Sequence, residues 1–151
     1  MSRVDKESDL WETPSDLFAE LDKEFQFKID LCATSGNNKV PMYAKDFFAL
    51  DAREFRGCTG FMNPPYSNPL PFIKKAYSDS MHMVIVLLIK ADTSTKAWGV
   101  FWDYENNKPK LGVKVRFLPK RLKFERNGEP STNTANFPSA IITMYQGVGD
   151  E

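Results

Sequence analysis

The spacing of apolar residues predicts which parts of the chain form helices and which form strands. In residues 14–25 the apolar side chains recur at spacings of one, three and four positions, which predicts an amphipathic helix with Thr13 as its N-cap and Pro14 as its first residue. Residues 27–33 alternate apolar and polar side chains, which is typical of a short strand. A short apolar run over residues 59–62 predicts the next strand.

The second half of the chain adds two helices and four strands to this prediction. A continuous apolar run over residues 83–89 is typical of a strand that is covered on both faces, and a helix is expected before it at residues 71–80. Helical spacing in residues 93–104, with Asp92 as a cap, predicts another helix. The order of the elements favours an α/β fold whose sheet is mostly parallel, with an antiparallel hairpin at the C-terminal end. The last three strands are expected at residues 113–118, 121–124 and 139–145.

Length and composition indicate one folded domain. The 151 residues fit a single domain, and 42% apolar with 13% aromatic residues supply a packed core. We expect residues 1–10 to form a flexible arm, residues 11–146 the domain and residues 147–151 a tail. The sequence shows no signal peptide and no long apolar span, so we expect a cytoplasmic protein with no membrane partner.

Charge and metal-ligand content narrow the functional classes. The 20 basic residues balance the 20 acidic ones, so total charge does not indicate a nucleic-acid-binding protein. Cys32 and Cys58 do not form a CxxC pair, and His82 is the one histidine in the sequence. The sequence therefore predicts neither a zinc site nor Ser-His-Asp chemistry, and we expect no metal.

The tetrapeptide Asn63-Pro64-Pro65-Tyr66 follows an apolar run, so it predicts a turn at the carboxyl end of a strand, where open α/β folds bind their ligands. The Asn63 side-chain oxygen and the Pro64 carbonyl are two acceptors that can hold both hydrogens of an amino group and turn its lone pair toward a methyl donor. The prolines fix their φ angles and so hold these acceptors in place. Tyr66 offers a face for stacking a planar base, worth roughly 1–3 kcal/mol. The alternative is an ordinary proline turn with a surface tyrosine.

Basic residues cluster between positions 108 and 126, where Glu125 is the single acid. Their alternation with apolar residues is expected to place them on one face of a hairpin. Such a face beside the tetrapeptide would contact DNA phosphates. The alternative is a solvated edge strand that is protected by charge. The residues expected to bind DNA are Lys120, Arg121 and Lys123.

Five short segments together resemble the small phage-type DNA adenine methyltransferase family. They are Trp-Glu-Thr-Pro at 11–14, Asp-Leu-Cys-Ala at 30–33, the tetrapeptide at 63–66, Arg-Leu-Lys-Phe at 121–124 and Phe-Pro-Ser-Ala at 137–140. The resemblance extends from about residue 10 to residue 144. It implies a shortened Rossmann-like methyltransferase fold, S-adenosylmethionine as the methyl donor and double-stranded DNA as the substrate.

The resemblance also implies roles for individual residues. The tetrapeptide would hold the acceptor base, and two further groups would contact the donor. Those that would lie against the donor are Trp11, Thr13 and Pro14, and those that would surround its amino-acid part are Asp30, Leu31, Cys32 and Ala33.

The residues themselves agree with part of this assignment. A carboxylate at a strand end, Asp30, suits the donor's ammonium group, and Asp46 is placed to accept from its ribose or adenine. No Gly-x-Gly follows the strand, unlike in many nucleotide-binding folds. The alternatives are that Asp30 forms a turn, that Asp46 is an exposed loop acid, and that Thr13-Pro14 simply starts a helix.

The leading hypothesis is therefore an enzyme that transfers a methyl group to the exocyclic amino group of adenine in DNA, after the base has been extruded from the duplex. One alternative is a methyltransferase that acts on RNA or on a protein amide, because a carboxamide is also a flat conjugated nitrogen. The other is a non-catalytic nucleic-acid-binding module on the same fold.

Overall fold

The computed structural model describes residues 11–33 and 37–147. The predicted arm at residues 1–10 and all but the first residue of the predicted tail lie outside the described residues. Within them the chain forms two α-helices, α1 (Ser15–Phe25) and α2 (Leu70–Asp79), and short 3-10 helices at Phe47–Ala49, Ala52–Phe55 and Trp98–Val100. The strands are β1 (Ile29–Asp30), β2 (Thr59–Met62), β3 (Val84–Lys90), β4 (Trp102–Asp103), β5 (Lys108–Pro109), β6 (Val113–Phe117), β7 (Glu125–Arg126), β8 (Glu129–Pro130) and β9 (Ser139–Met144).

The main sheet has the strand order β1-β2-β3-β9-β6. β1, β2 and β3 pair in parallel, whereas β9 lies antiparallel between β3 and β6. Two small antiparallel pairs, β4 with β5 and β7 with β8, stand apart from it. The predicted α/β class is confirmed, with a sheet that is parallel at its start and antiparallel at its other end.

Side chains of β3 alternate between two apolar layers on opposite faces of the sheet. Ile85 and Leu87 pack with Ile73 of α2, whereas Val86 and Leu88 pack with residues of α1 such as Leu21. Because both faces are covered, the strand is apolar throughout, as its sequence predicts. Neither α1 nor any other helix in the described residues has the length and apolar character that a membrane span requires.

Helix α1 forms as predicted, but Thr13 is not its N-cap. Pro14 occupies the cap position and has no side-chain acceptor. The Ser15 N–H donates instead to the Glu125 carboxylate at 2.8 Å. A residue 110 positions away therefore caps this helix, and the Thr13 hydroxyl is available for another contact.

The helix predicted at residues 93–104 is wrong. The Asp92 carboxylate accepts the Ser94 N–H at 3.0 Å in a tight turn, and a single 3-10 turn, Trp98–Val100, follows. β4 then pairs with β5. Gly99 lies in the middle of the predicted helix, and glycine is about 1 kcal/mol less favourable than alanine there.

The hairpin predicted from residues 113–118 and 121–124 is also wrong. β6 pairs with β9, and residues 121–124 form no strand. The Leu122 and Phe124 carbonyls accept N–H groups from a following loop, at Ala135 and Ser131, instead of from a neighbouring strand.

The basic residues between positions 108 and 126 consequently do not share one face. Lys108 and Lys110 precede the amino end of β6, at the opposite edge of the sheet from the tetrapeptide. Arg116 forms two hydrogen bonds with Glu24 of α1, at 3.0 and 2.7 Å. β6 is an edge strand of the main sheet, and Lys114 and Arg116 lie in it. For these two residues, the alternative of an edge strand that is protected by charge is the better interpretation.

Candidate active site

A pocket of about 440 Å³ lies beyond the carboxyl ends of β1 and β2 and gathers most of the predicted site residues. These residues come from four separate parts of the sequence, and the parallel pairing of β1 with β2 brings two of them, at Asp30 and Asn63, to one edge of the sheet. The predicted residues that line it are Trp11, Thr13, Asp30, Cys32, Ala33, Asp46, Asn63 and Pro65.

The remaining predicted residues lie outside this pocket. Leu31 is fully buried in the core, and Pro14 occupies the cap position before α1. Pro64 and Tyr66 line a second pocket of about 250 Å³. Successive residues of the tetrapeptide thus face alternate sides, so this turn separates the two pockets.

Asn63 follows β2 directly and is fixed by a residue from the N-terminal segment. Its Nδ2 donates to the Thr13 Oγ1 at 3.1 Å, and Thr13 is buried. The Asn63 Oδ1 is also buried and has no hydrogen-bond partner among the described residues. Thr13 therefore orients the amide so that its oxygen is an acceptor without a donor.

Asp30 closes the loop that follows β1 and also lines the main pocket. Its carboxylate accepts the Cys32 N–H at 3.2 Å and the Lys39 N–H at 2.9 Å, which ends the predicted strand early. Burial raises the pKa of Asp30 to about 6, although these N–H groups and the Lys39 charge act in the opposite direction. Asp30 is thus a turn former and, at neutral pH, a fixed negative charge at the pocket.

Aromatic side chains on one side of the pocket were missed by the sequence analysis. Phe48 is 48% exposed, and its ring centroid lies 4.7 Å from that of Phe72. Asp46 accepts the backbone N–H of Phe48 at 3.0 Å and so caps the 3-10 helix that carries this ring. The adjacent aromatic pair directly after Asp46 was the available signal. The other pocket residues that were missed are Glu12, Asn37, Lys39, Lys45, Phe47 and Phe61.

Glu125 connects the main pocket to the C-terminal part of the chain. Its backbone forms two hydrogen bonds with Glu12, at 2.6 and 2.9 Å. Its carboxylate accepts the Ser15 N–H and hydroxyl and lies 3.8 Å from the Lys39 Nζ. Burial raises its pKa, but the Ser15 hydrogen bonds and the Lys39 charge outweigh this, so the pKa of Glu125 lies below its usual value.

Tyr66 is buried in an aromatic cluster and is not a surface tyrosine. Its ring centroid lies 5.4 Å from that of Phe137, 5.5 Å from Phe124 and 6.2 Å from Trp11. Its hydroxyl has no partner among the described residues, and burial raises the pKa of Tyr66. The tyrosine therefore lies between this cluster and the second pocket.

The predicted DNA-binding residues are exposed on the segment that covers Tyr66. Leu122 and Phe124 pack into the same apolar cluster as Tyr66, as predicted from their alternation with charged residues. The exposed residues of this segment are Lys120, Arg121 and Lys123. In the part of the chain that the structure describes, no group of three or more His, Cys, Asp or Glu side chains is arranged to hold a metal ion.

The fold and the pockets define an α/β protein with a pocket at the carboxyl edge of its parallel strands, beside a turn whose Asn63 oxygen has no donor among the described residues. The profile of the DNA N-6-adenine-methyltransferase (Dam) family matches residues 2–150, so the chain belongs to this family. The predicted family resemblance is confirmed.

Two phage proteins share part of this sequence. The chain is 38% identical over 94 residues to the DNA N-6-adenine-methyltransferase of Haemophilus phage HP1 (strain HP1c1), which covers 60% of this chain and 54% of that protein. It is also 38% identical over 94 residues to the DNA N-6-adenine-methyltransferase of Escherichia phage T1, which covers 60% of this chain and 39% of that protein. The matched region thus spans about half or less of these curated relatives.

Proposed function

We propose that this protein transfers a methyl group from S-adenosylmethionine to the exocyclic amino group of adenine in double-stranded DNA, on a shortened Rossmann-like fold. The observation that carries the proposal is the buried Asn63 Oδ1, which has no donor within residues 11–33 and 37–147. A buried acceptor that is left unpaired costs about 1–3 kcal/mol. An amino group of a bound substrate would satisfy it.

The main pocket has the chemistry that the methyl donor requires. Asp30 supplies a fixed carboxylate for the donor's ammonium group, and the Phe48 ring offers a partly exposed flat face for its adenine. Asp46 and Lys45 line the same wall and are polar partners for the ribose and carboxylate. When bound there, S-adenosylmethionine supplies an electrophilic methyl group.

The tetrapeptide activates the acceptor without a strong base. The lone pair of adenine's amino group is delocalised into the ring, so the nitrogen is a weak nucleophile. The Asn63 Oδ1 and the Pro64 carbonyl accept its two hydrogens, which turns the lone pair toward the main pocket. Thr13 contributes by holding the Asn63 amide in this orientation.

Membership of the Dam family and the exposed basic segment beside Tyr66 favour DNA over RNA or protein. A non-catalytic module has no use for the buried Asn63 acceptor that lacks a donor among the described residues. The test is incubation with labelled S-adenosylmethionine and separate DNA, RNA and protein acceptors, followed by nucleoside analysis. We expect label in N6-methyladenine from DNA. Label in RNA or protein alone, or donor binding without any transfer, would overturn the proposal.

Donor affinity is expected to fall as the pH drops below about 6, because Asp30 must be ionised to pair with the ammonium group. The pKa of Asp30 in the unliganded protein is raised to about 6, and a cationic ligand favours the ionised form. Binding therefore releases protons in this range, and affinity should fall by up to about tenfold per pH unit. Calorimetric titration of the protein with the donor between pH 5 and 7 measures this change in affinity.

Asp30→Asn is the control for this pH dependence. It should bind the donor weakly and with the same affinity across the range, whereas DNA affinity should not change. Protonation of Asp30 does not unfold the protein. The pKa of this carboxyl is higher in the folded state than in the unfolded state, so its protonation favours folding as the pH falls through 6. A loss of donor affinity in acid therefore does not come from unfolding caused by Asp30. If the donor affinity of the wild-type protein is constant from pH 7 to pH 5, Asp30 does not bind the donor and has only a structural role.

Arg121→Ala and Lys123→Ala are expected to weaken binding to specific and unrelated duplexes equally, because both side chains extend outward from the segment that covers Tyr66. Each lost phosphate contact should reduce the slope of log affinity against log salt by roughly one. Lys108→Ala is the matched control, since this exposed lysine lies at the opposite edge of the sheet. If all three variants show the same salt slope as wild type, the basic segment does not bind phosphates.

A further inference from the structure

The second pocket lies between the first turn of α2 and the carboxyl end of β3, on the side of the tetrapeptide that faces away from the main pocket. Its volume of about 250 Å³ exceeds that of an engineered apolar cavity of about 150 Å³ that binds benzene. Leu70, Ile73 and Ile89 contribute apolar walls. The space therefore suits a planar ligand of two fused rings.

Two buried polar atoms beside this pocket lack hydrogen-bond partners among the described residues. They are the Nε1 of Trp98 and the hydroxyl of Tyr66, and both residues are buried. Both residues line the pocket. An indole N–H is a donor only, so what Trp98 lacks is an acceptor. Because an unpaired buried donor is costly, its position marks where a ligand acceptor belongs.

The rim of the pocket is polar and mostly basic. Lys90 and Lys96 line it together with Asp92, whose Oδ1 accepts the Ser94 N–H and hydroxyl. The Lys90 Nζ also lies 4.6 Å from the centre of the Phe137 ring. A ligand with a flat apolar ring system, ring acceptors and an attached phosphate matches these walls and this rim.

We infer that this pocket receives the extruded adenine and that the Trp98 indole N–H donates to one of its ring nitrogens, so that Trp98 is a residue that determines base specificity. The inference rests on the proposed function. Pro64 lines this pocket and Asn63 lines the main pocket, so a base seated here has its amino group at the turn that separates the two pockets. A base that has a C–H or N–H group where adenine has the contacted ring nitrogen offers no acceptor to the Trp98 N–H. Such a base would leave this donor unpaired and would be a poorer substrate.

The experiment combines single-atom changes in the base with one change in the protein. Duplexes carry 1-deaza-, 3-deaza- or 7-deazaadenine at the methylated position, and kcat/KM is measured for wild type and Trp98→Phe. In wild type, one of the three replacements should lower kcat/KM by about tenfold or more, since it removes the acceptor of a buried donor. The same replacement should have little further effect in Trp98→Phe, because the N–H is already absent.

Trp102→Phe is the matched control. Trp102 lies 6.1 Å from Trp98 between ring centroids, packs on the same core and does not line the pocket. It should retain the wild-type response to all three replacements. A sensitivity to one replacement that is equal in wild type and Trp98→Phe would overturn the inference.

The wild-type series is decisive even if Trp98→Phe does not fold. If none of the three replacements lowers kcat/KM in wild type, no ring nitrogen is read and the inference fails. These failures differ from failure of the proposed function, in which unsubstituted adenine in DNA is not methylated at all.

Discussion

Asn63→Ala is expected to lower the rate of methyl transfer by about a hundredfold or more, because it removes an acceptor whose main use is in the transition state. The affinities for donor and DNA should change little. The substitution removes a buried oxygen that has no partner among the described residues, so any fall in the free energy of unfolding should come from the lost hydrogen bond between the Asn63 Nδ2 and Thr13. Single-turnover rates, together with calorimetric donor binding and thermal unfolding, measure the three effects separately.

Two further variants test whether the lost rate comes from the missing acceptor oxygen. Asn63→Asp keeps acceptor oxygens at the same position and should retain part of the activity. Asn68→Ala is the matched control, since Asn68 is an exposed asparagine five residues along the chain. An Asn63→Ala protein that turns over like wild type would exclude the proposed role of the tetrapeptide. Loss of rate in Asn68→Ala as large as in Asn63→Ala would point instead to general damage to the turn.

The elements that could be predicted are those whose pattern follows from burial in the sheet. β2, β3 and β9 are apolar runs because both faces of the sheet are covered by other parts of the chain. Their positions were predicted to within about one residue. The helix predicted at residues 93–104 failed because helical spacing also arises when a 3-10 turn and a short hairpin share one apolar layer. There the Asp92 side chain and Gly99 decided the local structure.

The same distinction holds for the candidate site. Asp30 and Asn63 were predictable because each stands where a strand ends, and parallel strands bring their ends together. Glu125 was not, because its contact with Ser15 joins positions 110 residues apart with no shared period. The burial of Tyr66 was missed for the same reason, since Phe124 and Phe137 reach it from irregular segments whose path no local pattern encodes.

The burial of Tyr66 changes what its substitutions should do. Tyr66→Ala leaves a cavity among Trp11, Phe124 and Phe137, and aromatic-to-alanine changes in a core cost about 3–5 kcal/mol. Tyr66→Phe keeps the ring and removes a buried hydroxyl that has no partner in the described part of the chain, so stability should be unchanged or higher. Unfolding in denaturant compares the two variants, and an unfolding free energy for Tyr66→Ala close to that of wild type would show that the cluster repacks around the gap.

Base stacking on Tyr66 predicts a second effect that packing alone does not. Tyr66→Ala should lose roughly 1–3 kcal/mol of binding to DNA that contains the target adenine, whereas Tyr66→Phe keeps most of it. A mismatch at the target base should partly restore binding to Tyr66→Ala, because less energy is needed to unpair the base. Phe124→Ala is the control, since it damages the same cluster without lining the second pocket and should gain no more from a mismatch than wild type does. If Tyr66→Phe and Tyr66→Ala lose the same amount of DNA binding, the contribution of Tyr66 comes from its hydroxyl and not from its ring.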